Sequence, residues 1–506
     1  MQLSKKTISQ AADKHGYTEQ VANLPERVLQ FGTGVLLRGL PDYFIDKANK
    51  ENLFNGRIVV VKSTANGGTD AFKLQDGMFT LLERGIQDGI KVDRQVLNTA
   101  ISRVLSAADE WNEILACAAN PLLQLVISNT TEVGIVLVES DAASAVPVSF
   151  PGRLLAFLEA RYRVFNGSDE SGMVIVPAEL IVDNGTKLKE IVTTLARLKG
   201  HTDAFMNWLE QSNDFCNSLV DCIVPGKLSA DEHRRREQEL GYEDELMIMS
   251  EPYRLWAIET ASDRARSVLS FSEANKDIVI TPDINKFREL KLRLLNGTHT
   301  FSCALAFLSG FSTVKQAMND AGFTRFVSSL MLQEIAPLVV QETISLSEAH
   351  AFAEQVLDRF RNPYIEHQWI SISAQYTSKM AMRCVPLIDK HYSVNHEPPA
   401  LMALGFAAYL LFTRPAENSG GQYTGNDGTK KYPINDDKAT ALYAHWQSAP
   451  DTEACVYAIL KDEQLFGKDL TRYKGFPQAV LQYLALLTKG GVSNALHSGI
   501  LKQTIA

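Results

Sequence analysis

Residues 25–40 read PERVLQFGTGVLLRGL, and the reading of this stretch decides the fold. Residues 25–31 form a short β-like run that ends on Gly32 and Gly34, and VLLRGLPDYFIDKANKEN behind them is compatible with a helix. Strand, glycine turn and helix in that order open a nucleotide-binding βαβ unit, in which glycines permit a tight turn and a close approach of backbone to pyrophosphate. Leu37 stands where the third glycine of G-x-G-x-x-G would fall. Two readings are therefore open: a dinucleotide (NAD) site built on Gly32, Thr33, Gly34, Val35 and Leu36, or a plain connection from strand to helix.

Working outward, RIVVVKST at 57–64 gives a second strand at the spacing a βαβ unit needs. An acidic residue at its end would grip the ribose of NAD, whereas the sequence has Lys62, Ser63 and Thr64. Lys62 either favours the phosphate of NADP or is simply solvated. Residues 90–120 (with ISRVLSAADEWNEILACAA) read as mostly helical, and LLQLVISNTTEVGI supplies a third buried strand ending at Ser128. MVIVPAELIVDNG at 173–185 and DIVITPDI at 277–284 are expected to extend a parallel sheet covered on both faces. From 285 onward the apolar residues recur at three-to-four spacing, the period of helices, and AENSGGQYTGNDGTK at 416–430 reads as an exposed mobile loop. The expected architecture is α/β: a Rossmann-like NAD-binding domain over 1–284, then a mainly α-helical substrate and catalytic domain over 285–506, with a cleft between them.

Composition bounds the function. A chain of 506 residues exceeds one ordinary core and predicts roughly two to three domains. The net charge of -9 argues against nucleic acid, which requires a basic surface, and leaves small molecules as the expected partners. Cys117, Cys216, Cys222, Cys303, Cys384 and Cys455 are scattered without a CxxC pair, as in a reducing cytoplasm. No signal-peptide core and no run of about 18 apolar residues is found, so a cytoplasmic protein off the membrane, monomeric or a small homo-oligomer, is expected. No HxH, HxxxH or clustered His/Cys/Glu set suggests a metal.

The second informative stretch is KLRLLNGTHT at 291–300. On an α-helix of about 100° per residue, Lys291, His299 and Asn296 fall within an arc of about 140°, interleaved with Leu292 and Leu295, while Arg293 points elsewhere. An amine titrates near pH 10.4 in water, but apolar neighbours lower that value toward neutrality, where a lysine exchanges protons with an alcohol. Asn296 and His299 could hold the same oxygen as charge develops on it. The bland alternative is a snorkelling lysine beside a satisfied core histidine.

QFGTGVLLRG and the K-x4-N-x2-H pattern of Lys291, Asn296 and His299 resemble the signatures of the long-chain mannitol dehydrogenase family, where the third glycine is normally absent. SNTTEVGI (128–135), NSLVDCIVPG (217–226), ELGYEDELM, DRFRNPYIEHQ (358–368) and YPINDD (432–437) look most like its ketouronate-reducing branch. That resemblance implies NAD-linked, metal-independent interconversion of D-altronate and D-tagaturonate in galacturonate breakdown. It implies Lys291 as acid and base, Asn296 and His299 as its partners, Glu132 as a nearby proton relay and Asp221 as a substrate contact. Cys222 replaces the arginine the family has after that aspartate. AELIVDNG keeps Asn184 as an oxyanion contact but has Leu180 where an asparagine is usual.

A uronate also needs a cation for its carboxylate. The segment 359–383 offers Arg361, His367, Lys379 and Arg383, of which Lys379 and Arg383 are favoured. The alternatives are a fructuronate reductase or a hexitol dehydrogenase on the same scaffold, and a nucleotide-binding sensor that has lost catalysis.

Overall fold

The computed structural model describes residues 1–10, 16–63, 68–130 and 134–497. Two compact units divide the chain, one formed by Met1–Gly85 and Lys91–Ile284, the other by Ile86–Ile90 and Asn285–Ala506.

The first unit is organised by six parallel strands: β1 (Glu26–Phe31), β2 (Arg57–Lys62), β3 (Ile101–Ser106), β4 (Leu125–Ser128), β5 (Val174–Pro177) and β6 (Asp214–Phe215). They lie in the order β3-β2-β1-β4-β5-β6. Every residue of β2 is buried, as a strand covered on both faces requires. Alternation assigns the two faces. Val28, Ile58, Val60, Leu125 and Ile127 pack with Phe44 and Ile45 of the helix Pro41–Lys50 and with Trp256 and Phe271. Leu29, Phe31, Val59, Val61 and Val126 pack with Leu154 and Phe157 of the helix Phe150–Val164 and Leu188 and Val192 of Asn184–Leu198.

Two expectations for the first unit need correcting. Residues 90–120 are helical only at Trp111–Ala116 and the short turn after it, whereas Ile101–Ser106 is the edge strand β3 and Ile90–Asn98 pairs with Phe79–Gln87 in a separate sheet. Ile90–Asn98 is mostly exposed and carries Lys91, Asp93 and Arg94, so it lacks the apolar run by which a buried strand announces itself. DIVITPDI forms the strand Ile278–Thr281, yet it does not join β1–β6. It pairs with Leu255–Glu259, which in turn pairs with Asn217–Asp221.

The second unit is helical. Ala400–Phe412 is apolar on all sides and buried almost throughout, the pattern of a central helix. Three stretches, Lys291–Gly297, Leu330–Ile335 and Met380–Cys384, adopt wide turns bonded from i to i+5, a geometry frequent at functional sites. The stretch expected as a mobile loop instead folds as a small antiparallel sheet of Glu417–Ser419, Gln422–Asn426 and Lys431–Pro433, anchored where Tyr432 Oη donates to Phe412 O at 2.9 Å. Among the described residues no helix is long and apolar enough to cross a membrane.

Candidate active site

In the second unit, the helix Asn285–Leu290 runs into the wide turn Lys291–Gly297 and on into Thr298–Leu308. Lys291 and Asn296 lie about 140° apart around an α-helix, and the wider i to i+5 turn narrows that angle. Lys291, Leu292 and Asn296 are half-buried, Leu295 buried. Arg293 bonds across to the second wide turn, donating from Nη1 to the carbonyls of Met382 (2.9 Å) and Arg383 (3.1 Å), with Glu289 on its Nε at 3.1 Å. Thus Arg293 ties the turn that carries Lys291 to the turn that carries Arg383.

His299 is buried in an aromatic box. Its ring stacks on Phe360 at 4.1 Å and 5°, and meets His367 (5.3 Å, 89°) and Trp369 (5.9 Å, 87°) edge to face. Its Nε2 has no hydrogen-bond partner among the described residues, a costly condition for a buried polar atom. Burial holds His299 well below the ordinary histidine range, and His367, Arg359, Arg383 and Lys379 add to the effect. The imidazole is therefore neutral at neutral pH and able to donate or accept one hydrogen bond at Nε2.

The groups acting on His299 are all basic. Lys379 gives one bond to Ile372 O at 2.8 Å, and burial followed by Arg383 lowers its titration. Burial lowers Arg383 as well; its Nη1 reaches Thr300 Oγ1 at 3.4 Å, while its buried Nε has no partner among the described residues. Asp436 of the YPINDD stretch accepts from Thr377 N (2.7 Å) and Thr377 Oγ1 (2.8 Å), fixing the start of the helix Tyr376–Lys379. Arg361 does not join this group: it turns outward and lies 3.8 Å from Asp358. Arg359, buried at the end of the helix Leu346–Phe360, was not singled out from sequence; its only signal was an arginine inside an apolar helical face.

In the first unit, a cleft of about 560 Å³ opens at the carboxyl ends of β1, β2 and β4, lined by Gly32, Thr33, Gly34, Ser63, Asn129, Thr130, Val136, Val148 and Arg153 among others. This is where strand order reverses, β1 lying between β2 and β4, the usual place for a ligand in an open parallel sheet. Gly32 has φ +127°, and a Cβ there would lie 2.8 Å from Leu37 Cδ1 and 2.9 Å from Asn129 O. Leu37 thus makes the contact between helix and turn that a third glycine makes elsewhere. A Cβ on Gly34 would meet nothing within 4 Å, so the turn is open on the cleft side.

Several expected residues fall elsewhere. Val35 and Leu36 pack against the core rather than the cleft. Lys62 is buried in β2, neither solvated nor lining the cleft; Ser63 takes that place, with Arg153 Nη1 donating to its carbonyl at 2.9 Å. Asn184 is fully buried and its amide is consumed. It donates to the carbonyls of Pro177 (3.0 Å), Glu179 (3.0 Å) and Ser218 (3.1 Å), and accepts from Gly185 N and Ser218 N at 2.9 Å each. That leaves no group for a substrate oxygen, so Asn184 holds strand to helix and the oxyanion role is corrected. Asp221 is buried at the end of its strand, opposite Leu255. Glu132 lies outside the described residues. Glu179 accepts from Thr130 N (2.9 Å), Thr130 Oγ1 (3.0 Å) and Ser128 Oγ (3.1 Å), and so holds Thr130 of the cleft lining in place.

Comparison with known proteins bears on both units. Residues 26–270 match the mannitol dehydrogenase Rossmann domain, and residues 283–487 the mannitol dehydrogenase C-terminal domain. An altronate oxidoreductase of Halalkalibacterium halodurans is 38% identical, covering 95% of this chain and 94% of its own length. One from Bacillus subtilis is 34% identical over 96% and 98%. Among solved structures, Pseudomonas fluorescens mannitol 2-dehydrogenase, in a ternary complex with NAD and D-mannitol, superposes with a TM-score of 0.68 at 22% identity, covering 99% of this chain and 100% of that one. With both domain models matched in sequence order and relatives aligned over nearly all their length, the chain belongs to the mannitol dehydrogenase family.

Proposed function

We propose that this protein is an NAD-dependent dehydrogenase that interconverts D-tagaturonate and D-altronate in galacturonate breakdown, with Lys291 giving and taking the proton. The observation that carries the reading is the setting of His299: a neutral imidazole with an unpartnered Nε2, surrounded by Arg359, His367, Lys379 and Arg383. A reacting oxygen finds a hydrogen-bond partner at Nε2, and a carboxylate finds cations suited to it. A plain polyol has no use for those cations. The naming of the relatives as altronate oxidoreductases supports the same substrate.

The cleft at Gly32–Gly34 suits a dinucleotide, because the open side of Gly34 leaves backbone free to approach a phosphate. NAD, when bound, supplies the acceptor for hydride in alcohol oxidation and, as NADH, its donor in ketone reduction. The chain's own residues handle the oxygen and its proton. In oxidation the Lys291 amine accepts the hydroxyl proton; in reduction the ammonium returns it to the ketone oxygen. Asn296, on the same wide turn as Lys291, and His299 Nε2 hold that oxygen as its charge changes. Lys379 and Arg383 take the carboxylate, fixing which end of the sugar acid meets the lysine.

NADH consumption against D-tagaturonate, D-fructuronate and D-fructose tests this, and D-tagaturonate should give the highest kcat/KM. A preference for D-fructuronate or D-fructose would instead favour the fructuronate reductase or hexitol dehydrogenase reading. Lys291→Ala should lower kcat at least about a hundredfold, the contribution of a positioned acid/base. Activity should be unaffected by EDTA.

A further inference from the structure

We propose that His367 is a specificity-determining residue, hydrogen-bonding the acidic end of the substrate beside Lys379 and Arg383 and so making the site selective for sugar acids over neutral ketoses. The inference deepens the proposed function and rests on it.

Its placement is fixed by backbone. Val314 N donates to His367 O at 3.0 Å and Trp369 N to Ser312 O at 3.0 Å, with Thr313 and Gln368 paired between them. The segment 367–369 is thereby pinned to 312–314, and the His367 ring is held perpendicular to His299 at 5.3 Å. Despite this immobilisation, the imidazole makes no side-chain hydrogen bond to any described residue and is half-buried, so a ring nitrogen is available to a ligand. The ring is thus held in place by backbone and by His299, while its nitrogens are neither sealed from solvent nor bonded to a described residue.

The charges around it indicate what it takes. Burial, then Arg359 and Lys379, lower its titration, so the free site presents a neutral ring in a positive field. Arg359 arrives on the helix Leu346–Phe360, Lys379 on Tyr376–Lys379, and Arg383 acts with them on His299. A carboxylate bound there is attracted by these cations and accepts one more hydrogen bond from His367. A neutral ketose, with a hydroxymethyl group in that position, brings no charge to the positive field and gains little from the ring.

A hydrogen bond to a charged group changes binding about tenfold or more. In His367→Leu, KM for D-tagaturonate should rise at least about tenfold with kcat changed less than about threefold, while kcat/KM for D-tagatose stays within about twofold. His367→Asn, which keeps a donor, should recover part of the loss, and should report on the proposal even where the leucine variant does not fold. Thermal midpoints of both variants identify misfolding. Equal losses on the two substrates would mean a structural role and overturn the proposal, as would an undiminished preference for the acid in both variants. Absence of that preference in the wild type would overturn the proposed function itself.

Discussion

His299 and the two glycines of the opening turn show how single residues carry the account. A neutral imidazole is the useful form of His299, since it leaves Nε2 able to give or take one hydrogen bond with a reacting oxygen. Gly32 and Gly34 look equivalent in sequence but not in space. Gly32→Ala places a Cβ against the Asn129 carbonyl in a left-handed backbone region, so it should lower stability by more than about 1 kcal/mol, seen as a lower thermal midpoint. Gly34→Ala should leave the midpoint unchanged and weaken NADH binding in a fluorescence titration; unchanged binding would remove the dinucleotide from this cleft. In sequence, both glycines, Lys291, Asn296 and His299 stood out because polar or special residues interrupt apolar runs. Lys62 misled for the opposite reason: a charged residue at a strand end reads as solvated, and only the tertiary structure buries it. Arg359 and His367 were illegible as a pair, since their relation to His299 is made by a helix end and a pinned segment far along the chain.

Among elements, the buried strands were the most legible, because a strand covered on both faces must be continuously apolar, as in β1, β2, β4 and β5. The wide turn at Lys291–Gly297 left no mark of its own, since its apolar spacing also fits an α-helix. The residues of β3 read as helical in the sequence because ISRVLS also fits a three-to-four spacing. The central helix Ala400–Phe412 begins on Glu334, whose carboxylate accepts from Leu401 N (2.8 Å) and Met402 N (2.9 Å). Those bonds and the helix dipole favour the charged form, yet burial outweighs them and pushes its titration up to about 7. A carboxyl raised in the folded state contributes stability that is complete below the unfolded value of 4.5 and is lost as pH rises through about 7. The thermal midpoint of wild type relative to Glu334→Gln should therefore fall between pH 5 and 7.5, and a difference independent of pH would contradict this assignment.

At the level of the whole molecule, the chain bears a net charge of -9 while gathering Arg359, Lys379 and Arg383 around one imidazole. Attraction for an anion is thus local to the second unit and works against the overall charge, which fits a small acid held at close range better than a polyanion steered from afar. The family relationship accounts for the dehydrogenase scaffold, whereas the cation cluster accounts for the proposed acid. The most direct test compares D-tagaturonate with D-tagatose, which present the same ketone and differ in carboxylate against hydroxymethyl. Two charge-assisted contacts predict a kcat/KM ratio of about a hundredfold or more in favour of the acid. Equal values for the two would contradict the account.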